Sequence, residues 1–238
     1  MTISITVPGA EFTEFVSNVL LPYIEDAVSF QLYGTDAASS VLNRSLNPTA
    51  NASVVGTPTY GTGFATISNT NGFDTGYLVD TPFTQVLAMR WVSGSTSPVG
   101  RVPGDEEFID MIQVLGTDAF GPGTLKIWPN GVGGVGIDIP DAPATEFNMF
   151  GMRWGGTGTK SNIYYHSGPA LIEASPSTND TKTVTPTLNL RVGACGTGAG
   201  SWKVAASAFY NRLLSNAELF IVHSYLQGLL ASRGVTLM

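Results

Sequence analysis

Ser201-Trp202-Lys203-Val204-Ala205-Ala206-Ser207-Ala208-Phe209-Tyr210-Asn211-Arg212-Leu213-Leu214-Ser215-Asn216-Ala217-Glu218-Leu219 joins a strand to a helix in one short run. Lys203 to Tyr210 is apolar and aromatic enough for a strand that packs on a core. Ser215-Asn216-Ala217-Glu218 has capping-box spacing, in which Ser215 and Glu218 each satisfy an otherwise orphaned backbone N–H. Leu219, Val222, Leu226, Leu229 and Leu230 follow at three- and four-residue intervals, and Gly234 stands where a left-handed cap is expected. The helix so marked is expected to lie on a sheet, with Leu213 and Leu214 anchoring the turn into it.

Upstream, strand signals dominate. Thr187-Leu188-Asn189-Leu190-Arg191-Val192 alternates aliphatic and polar residues, the mark of a half-buried strand. Similar segments are Gln85 to Val92, Phe108 to Leu115, Thr124 to Trp128, Phe147 to Trp154 and Asn162 to His166. Glycine-rich punctuators such as GSTSPVG, GTDAFGPG, GGTGTK and GTGAGS lie between them, and no helix interleaves the strands. Many short strands with frequent turns predict a sandwich or barrel rather than a parallel βαβ sheet.

A second helix is expected from about Ala10 to Leu21. Phe12, Phe15, Val16, Val19 and Leu20 fall on one stripe, Glu11 and Glu14 sit in its first turn, and Pro22 ends it. Residues 1–26 are therefore read as a strand and helix segment that either packs on its own domain or docks on a partner. Residues 27–238 form the sandwich domain.

The 238 residues are 43% hydrophobic and only 12% charged, which excludes disorder. Eleven Lys and Arg against 18 Asp and Glu leave a net charge of −7, unfavourable to binding phosphate backbones, so no nucleic-acid partner is expected. A single cysteine, Cys195, cannot form an internal disulfide. The start MTISITVPGAEF lacks the basic and apolar regions of a secretory signal, and no stretch is apolar over the ~18 residues of a membrane span. The expectation is a soluble protein folded in the cytoplasm, in which the Asn-x-Ser/Thr triplets at Asn43, Asn51 and Asn179 arise by chance.

The run from Ser201 to Leu219 resembles the closing strand and capped helix of concanavalin A-like lectin/glucanase domains. It is closest to the laminin-G-like branch, where an apolar strand and an aromatic lead into Asn-Arg-x-Leu-Ser-x-x-Glu. Phe147 to Trp154 followed by Asn162 to Ser167 is similar to that family's central hairpin, and Leu188 to Gly193 to its penultimate strand. The resemblance implies an all-β fold, a concanavalin A-like antiparallel β-sandwich (jelly roll). The two helices read above flank it. In style, the stretch LYGTDAASSVLNRSLNPTANASVVGTPTYGTGFATISNTNGFDTG resembles bacteriophage and prophage proteins that carry such a domain.

Glucanases of this superfamily carry Glu-x-Asp-x-x-Glu or Glu-x-Asp-x-Glu on a strand, and a retaining pair needs carboxyls about 5–5.5 Å apart. The nearest candidates are Glu106, Glu107 and Asp110, of which only Glu106 and Asp110 share strand parity; the competing reading is a solvated acidic loop. The two histidines, His166 and His223, have no Gly-x-Ser-x-Gly elbow to serve. Gly131 to Gly136 matches Gly-x-Gly-x-x-Gly, but the IDIPDAP that follows cannot open a helix, so it reads as a hairpin turn. One Cys and two distant His do not make a zinc site. No cofactor is expected, and the isolated acids Asp74, Asp80, Asp138 and Asp141 leave calcium open.

Four side chains at strand ends, Trp128, Trp154, Tyr165 and His166, are candidates to line a glycan groove; the competing reading is that such rings fill the core or a subunit interface. The function expected is that of a non-enzymatic bacteriophage virion protein of the tail, fibre or capsid surface. Its lectin-like domain would bind host-surface polysaccharide through many weak contacts made together. Its partners would be other virion proteins and further copies of itself, assembled in the bacterial host cytoplasm. The alternatives are a polysaccharide-degrading glycoside hydrolase and a stand-alone carbohydrate-binding module.

Overall fold

The computed structural model describes residues 20–46, 48, 50–78, 82–94, 96–100, 111–115, 124–128, 135–138, 146–155, 159, 162–167, 170–175, 189–195 and 199–238. The helix expected at Ala10–Leu21 lies outside them, save for Leu20 and Leu21.

The described strands form two antiparallel sheets. The larger holds β1 (Ala27–Leu32), β3 (Thr59–Gly61), β4 (Phe64–Ser68), β6 (Phe83–Ser93), β11 (Asn148–Trp154), β12 (Asn162–Ser167), β13 (Ala170–Ala174) and β15 (Ser201–Tyr210). The smaller holds β2 (Ser53–Val55), β5 (Gly72–Leu78), β7 (Thr96–Gly100), β8 (Met111–Leu115), β9 (Thr124–Trp128), β10 (Val135–Asp138) and β14 (Asn189–Gly193). A short helix α1 (Ala37–Val41) follows β1, and the chain closes with α2 (Asn216–Ala231). No described helix is long and apolar enough to cross a membrane. The expected antiparallel β-sandwich is present.

The strand β15 organises the larger sheet. One edge pairs with β6 along its length, while the other pairs with β4 at Ser201–Val204 and with β1 at Ala206–Tyr210. The register slips between Val204 and Ala206, so Ala205 is a bulge at the point where one partner strand gives way to the other. Trp202, Val204 and Phe209 point into the core between the sheets, with Leu87, Met89 and Phe150. Ala205, Ala206, Ala208 and Tyr210 point the other way, into a second core beneath α2. The apolar residues of this strand thus divide between two cores, where the sequence pointed to a strand packed on one. Small alanines on the outer face let the helix approach closely, and Leu219, Val222, His223, Leu226 and Leu230 are its buried face.

The Asn211–Glu218 segment fastens that helix. Ser215 Oγ accepts from Glu218 N at 3.3 Å, and Glu218 Oε2 accepts from Ser215 N at 2.7 Å, so the capping box is complete. Arg212 donates to Glu218 at 2.8 Å and to Asp26 at 2.5 Å, tying the cap to the turn before β1. The buried Thr84 hydroxyl donates to Arg212 O and accepts from Leu214 N, each at 2.8 Å.

Gly151, midway along β11, has a steric cause. A Cβ there would sit 2.0 Å from Gln85 O and 2.1 Å from the Tyr164 hydroxyl, because Tyr164 reaches across β11 to donate to that carbonyl.

Candidate functional site

The residues singled out from sequence are dispersed by the fold. Trp154 is 4% exposed in the inter-sheet core, its ring 5.9 Å from that of Phe83. Tyr165 is 2% exposed and stacks on Phe150 at 5.0 Å. His166, the next residue along β12, points to the opposite face and is fully buried, stacked on His223 at 4.4 Å with Phe220 edge-on at 4.6 Å. None of these three reaches the surface, and strand parity sends them to two different cores. Trp128 ends β9 opposite Met111, and nothing further of it is described. Glu106, Glu107, Asp110, residues 131–134 and Asn179 lie outside the described residues; of the expected Gly131–Gly136 turn, Val135 and Gly136 are instead the start of β10, paired with Ile127 and Lys126 of β9.

Asn43 and Asn51 have structural work. Asn43 donates to Val28 O and Ala50 O and accepts from Phe30 N and Ser45 N, and Asn51 accepts from Asn43 N. Asp74 pairs with Arg191 at 3.5 Å, and Cys195 is a buried thiol whose pKa burial pushes up to about 12. Among the described residues no group of three His, Cys, Asp or Glu could hold a metal ion.

A cleft does form, on the outer face of the larger sheet beside the end of α2. Its volume is about 350 Å³, within the range of small-molecule sites, and it is lined by Phe64, Arg90, Glu146, Phe147 and the Gly234–Thr236 segment. Each wall has a local cause. Thr62 and Gly63 turn β3 into β4, with Gly63 at φ +75°, and so deliver Phe64. A Cβ on Gly63 would lie 2.7 Å from Arg233 O, so only glycine lets the chain after α2 come this close. After the turn at Gly234, that chain runs parallel to Phe147: Phe147 N donates to Thr236 O and Met238 N to Phe147 O.

Register places the polar groups. Lys203 of β15 sits directly opposite Arg90 of β6 and, on its other side, Thr66 of β4. Lys203 Nζ lies over the Phe64 ring at 4.4 Å, the Arg90 guanidinium over Phe147 at 5.6 Å, and the two rings are 6.0 Å apart. Burial, and then the charge of Arg90, hold the Lys203 ammonium below its usual pKa. Sequence reasoning passed over these residues, because they come from five separate stretches of chain. The one available signal was local: Lys203 interrupts an otherwise apolar strand.

The cleft offers two aromatic edges, the Arg90 guanidinium, the Thr236 hydroxyl and one carboxylate, Glu146, with Lys203 beside Phe64. This equipment binds and orients a polar ligand with apolar patches. A hydrolytic pair would need a second carboxyl, and among the described residues the cleft has none.

No protein-family model matches the chain, and no curated protein matches it in sequence. Solved structures do resemble it in fold. The sialidase of Trypanosoma rangeli, in complex with sialic acid, has TM-score 0.60 at 12% identity over 86% of this chain and 33% of that one. Domain 4 of a GH43 extracellular arabinanase from Geobacillus stearothermophilus, in complex with arabinotriose, has TM-score 0.52 at 9% identity over 83% of this chain and 98% of the domain. The binding domain of botulinum neurotoxin DC, in complex with SialylT, has TM-score 0.58 at 11% identity over 85% and 52%. The chain spans about a third of the length of the sialidase structures it matches.

These likenesses correct one expectation. The chain was expected to be non-enzymatic, yet it shares its fold with a sialidase and with a domain of an arabinanase, so the sandwich does not set it apart from enzymes.

Proposed function

We propose that this chain is a carbohydrate-binding β-sandwich domain. The observation that carries the reading is the cleft on the outer face of the larger sheet, where Phe64 and Phe147 meet the polar groups of Arg90 and Glu146 in a volume suited to a small ligand, with Lys203 over the Phe64 ring. Pyranoses present apolar faces and hydroxyl edges, and such a mixed surface answers both. The reading draws support from the arabinotriose-bound domain, which the chain matches almost from end to end, and from the sialylated ligand on the toxin's binding domain. A glycan array probed with the purified chain tests it: binding to a defined set of saccharides is expected, and an array with no hits at millimolar-range sensitivity overturns it.

A second reading is that the domain serves a polysaccharide-degrading enzyme, as the sialidase and arabinanase likenesses suggest. Oligosaccharide release from a polysaccharide panel tests this, with Glu106, Glu107 and Asp110 as the first residues to replace. The proposed setting, the surface of a bacteriophage particle, rests on the resemblance of the N-terminal half to phage proteins. A protein inventory of purified particles that lacks this chain would reject it.

A further inference from the structure

We propose that Arg44 and Arg233 form a second binding site, apart from the cleft, that takes a phosphate group, either free or carried on a sugar.

The site is built on one turn. After β1 the chain doubles back through Tyr33 and Gly34 into α1, where Ser39 Oγ donates to Gly34 O at 3.0 Å and Ser40 Oγ accepts from Gly34 N at 3.1 Å. Each end of this turn holds a guanidinium. Arg233 Nη2 donates to Tyr33 O at 2.8 Å, and Arg44 Nη2 donates to Ser39 O at 3.1 Å, with Arg44 Nη1 on Leu42 O at 3.0 Å. Arg233 comes from the far end of the sequence because the backbones meet closely here: a Cβ on Gly34 would lie 2.9 Å from the Gly63 backbone, and one on Gly63 lies as close to Arg233 O as stated above.

The charges of the two arginines are unanswered. Among the described residues, Arg153, Arg191 and Arg212 pair with Glu173, with Asp74 and with the couple Asp26 and Glu218. Arg44 and Arg233 pair with no carboxylate, and their side-chain contacts are the three carbonyls just named. Asp36, the acid nearest Arg44 in sequence, is spent on the α1 cap, accepting from Ser39 N at 2.7 Å. A chain with 18 Asp and Glu against 11 Lys and Arg is rich in carboxylates, yet among the described residues none is placed against this pair. Both side chains are half-buried, where like charges repel more strongly than in water. Burial, and then the charge of Arg233, depress the pKa of Arg44, and burial depresses that of Arg233, while both stay protonated at neutral pH. An anion between them relieves that repulsion.

The donors fit phosphate. Arg44 commits two of its five N–H groups to the turn and Arg233 one, which leaves part of each fork to a ligand. A guanidinium meets phosphate oxygens two at a time. A phosphate monoester carries about −1.5 to −2 charges at pH 7 and so answers two cations, whereas a carboxylate or a sulfate ester answers one.

The test is titration calorimetry of the purified chain with glucose 6-phosphate, inorganic phosphate, glucose 6-sulfate and glucose. A phosphate ligand is expected to bind at least tenfold tighter than glucose 6-sulfate, more weakly as salt is added. Glucose 6-phosphate binding tighter than inorganic phosphate assigns the site to a phosphorylated sugar; equal or weaker binding assigns it to free phosphate. Arg44→Gln and Arg233→Gln should each lose at least tenfold in phosphate affinity, with circular dichroism showing that the variants are folded. Because both arginines also brace the turn, the parent chain supplies a second measurement: phosphate should protect Arg44 and Arg233 from phenylglyoxal, as mapped by mass spectrometry. Absence of phosphate binding, a sulfate ester bound as tightly as the phosphate ester, folded variants that keep the parent's affinity, or arginines modified equally fast with and without phosphate would each overturn the inference. None of these results touches the carbohydrate reading, which stands or falls on saccharide binding by the array.

Discussion

His166 of β12 and His223 of α2 lie face to face, ring centroids 4.4 Å apart and planes 8° apart, in the seam between the helix and the larger sheet. Both are buried, and the Nε2–H of His223 donates to the carbonyl of Met238 at 2.6 Å. The pair joins strand, helix and C-terminal segment at one point.

Stability should therefore fall in mild acid. Burial holds the pKa of His223 below its ordinary value near 6.5. The unfolded chain then binds the proton more readily, so stability is greatest above pH 6.5 and declines as the pH drops through it toward the folded-state value. Melting temperatures between pH 7.5 and 5 should show this slope, and His223→Gln, which keeps a donor toward Met238, should flatten it. A variant with the parent's slope would remove His223 from the account.

A second acid step belongs to the helix cap. Arg212 and the Ser215 backbone hold the Glu218 carboxyl down to a pKa of about 2, so its contribution is present above pH 4.5 and lost as the pH falls toward 2. Ser215→Ala should cost about 1 kcal/mol at neutral pH by removing one half of the capping box, and lower the melting temperature by about 2–4 °C. A melt indistinguishable from the parent's would mean that packing alone holds the helix start.

Two glycines should respond to alanine with opposite signs. At Gly151 the new Cβ has no room between Gln85 O and Tyr164, and a loss of about 3 kcal/mol or failure to fold is expected. Gly228 in α2 meets nothing within 4 Å, so alanine there should add roughly 0.5–1 kcal/mol through helix propensity. Urea midpoints of the two variants give the comparison directly; equal shifts would sink it.

Trp154 and Tyr165 should matter to folding and not to ligand affinity. Trp154→Ala removes a buried ring from the inter-sheet core, at a cost of about 3–5 kcal/mol. Tyr165→Phe keeps the stack on Phe150 and should leave sugar binding unchanged in calorimetry. A large affinity loss in Tyr165→Phe would show that the interior opens to ligand.

Much of the architecture was legible where the governing interactions are local. The capping box, the leucine spacing of α2 and the alternation around Leu190 and Val192 need only neighbours in the chain, and each lies where the spacing placed it. Strands β1 to β5 were less legible, because they are short and interrupted by small polar residues. The helix α1 had a signal that went unread: Asp36 caps it by accepting from Ser39 N at 2.7 Å.

The site was not legible, for a reason that lies in the sheet itself. Two-residue parity says that Tyr165 and His166 face opposite ways, but it cannot say that both faces are covered, one by the second sheet and the other by α2. The amino-acid order alone determined a layered antiparallel protein closed by a capped helix, because periodicity and capping act over a few residues. Tertiary structure decided which rings are interior and brought Phe64, Arg90, Glu146 and Phe147 to one cleft, because strand register and the path of the chain after α2 are set by contacts between residues far apart in sequence.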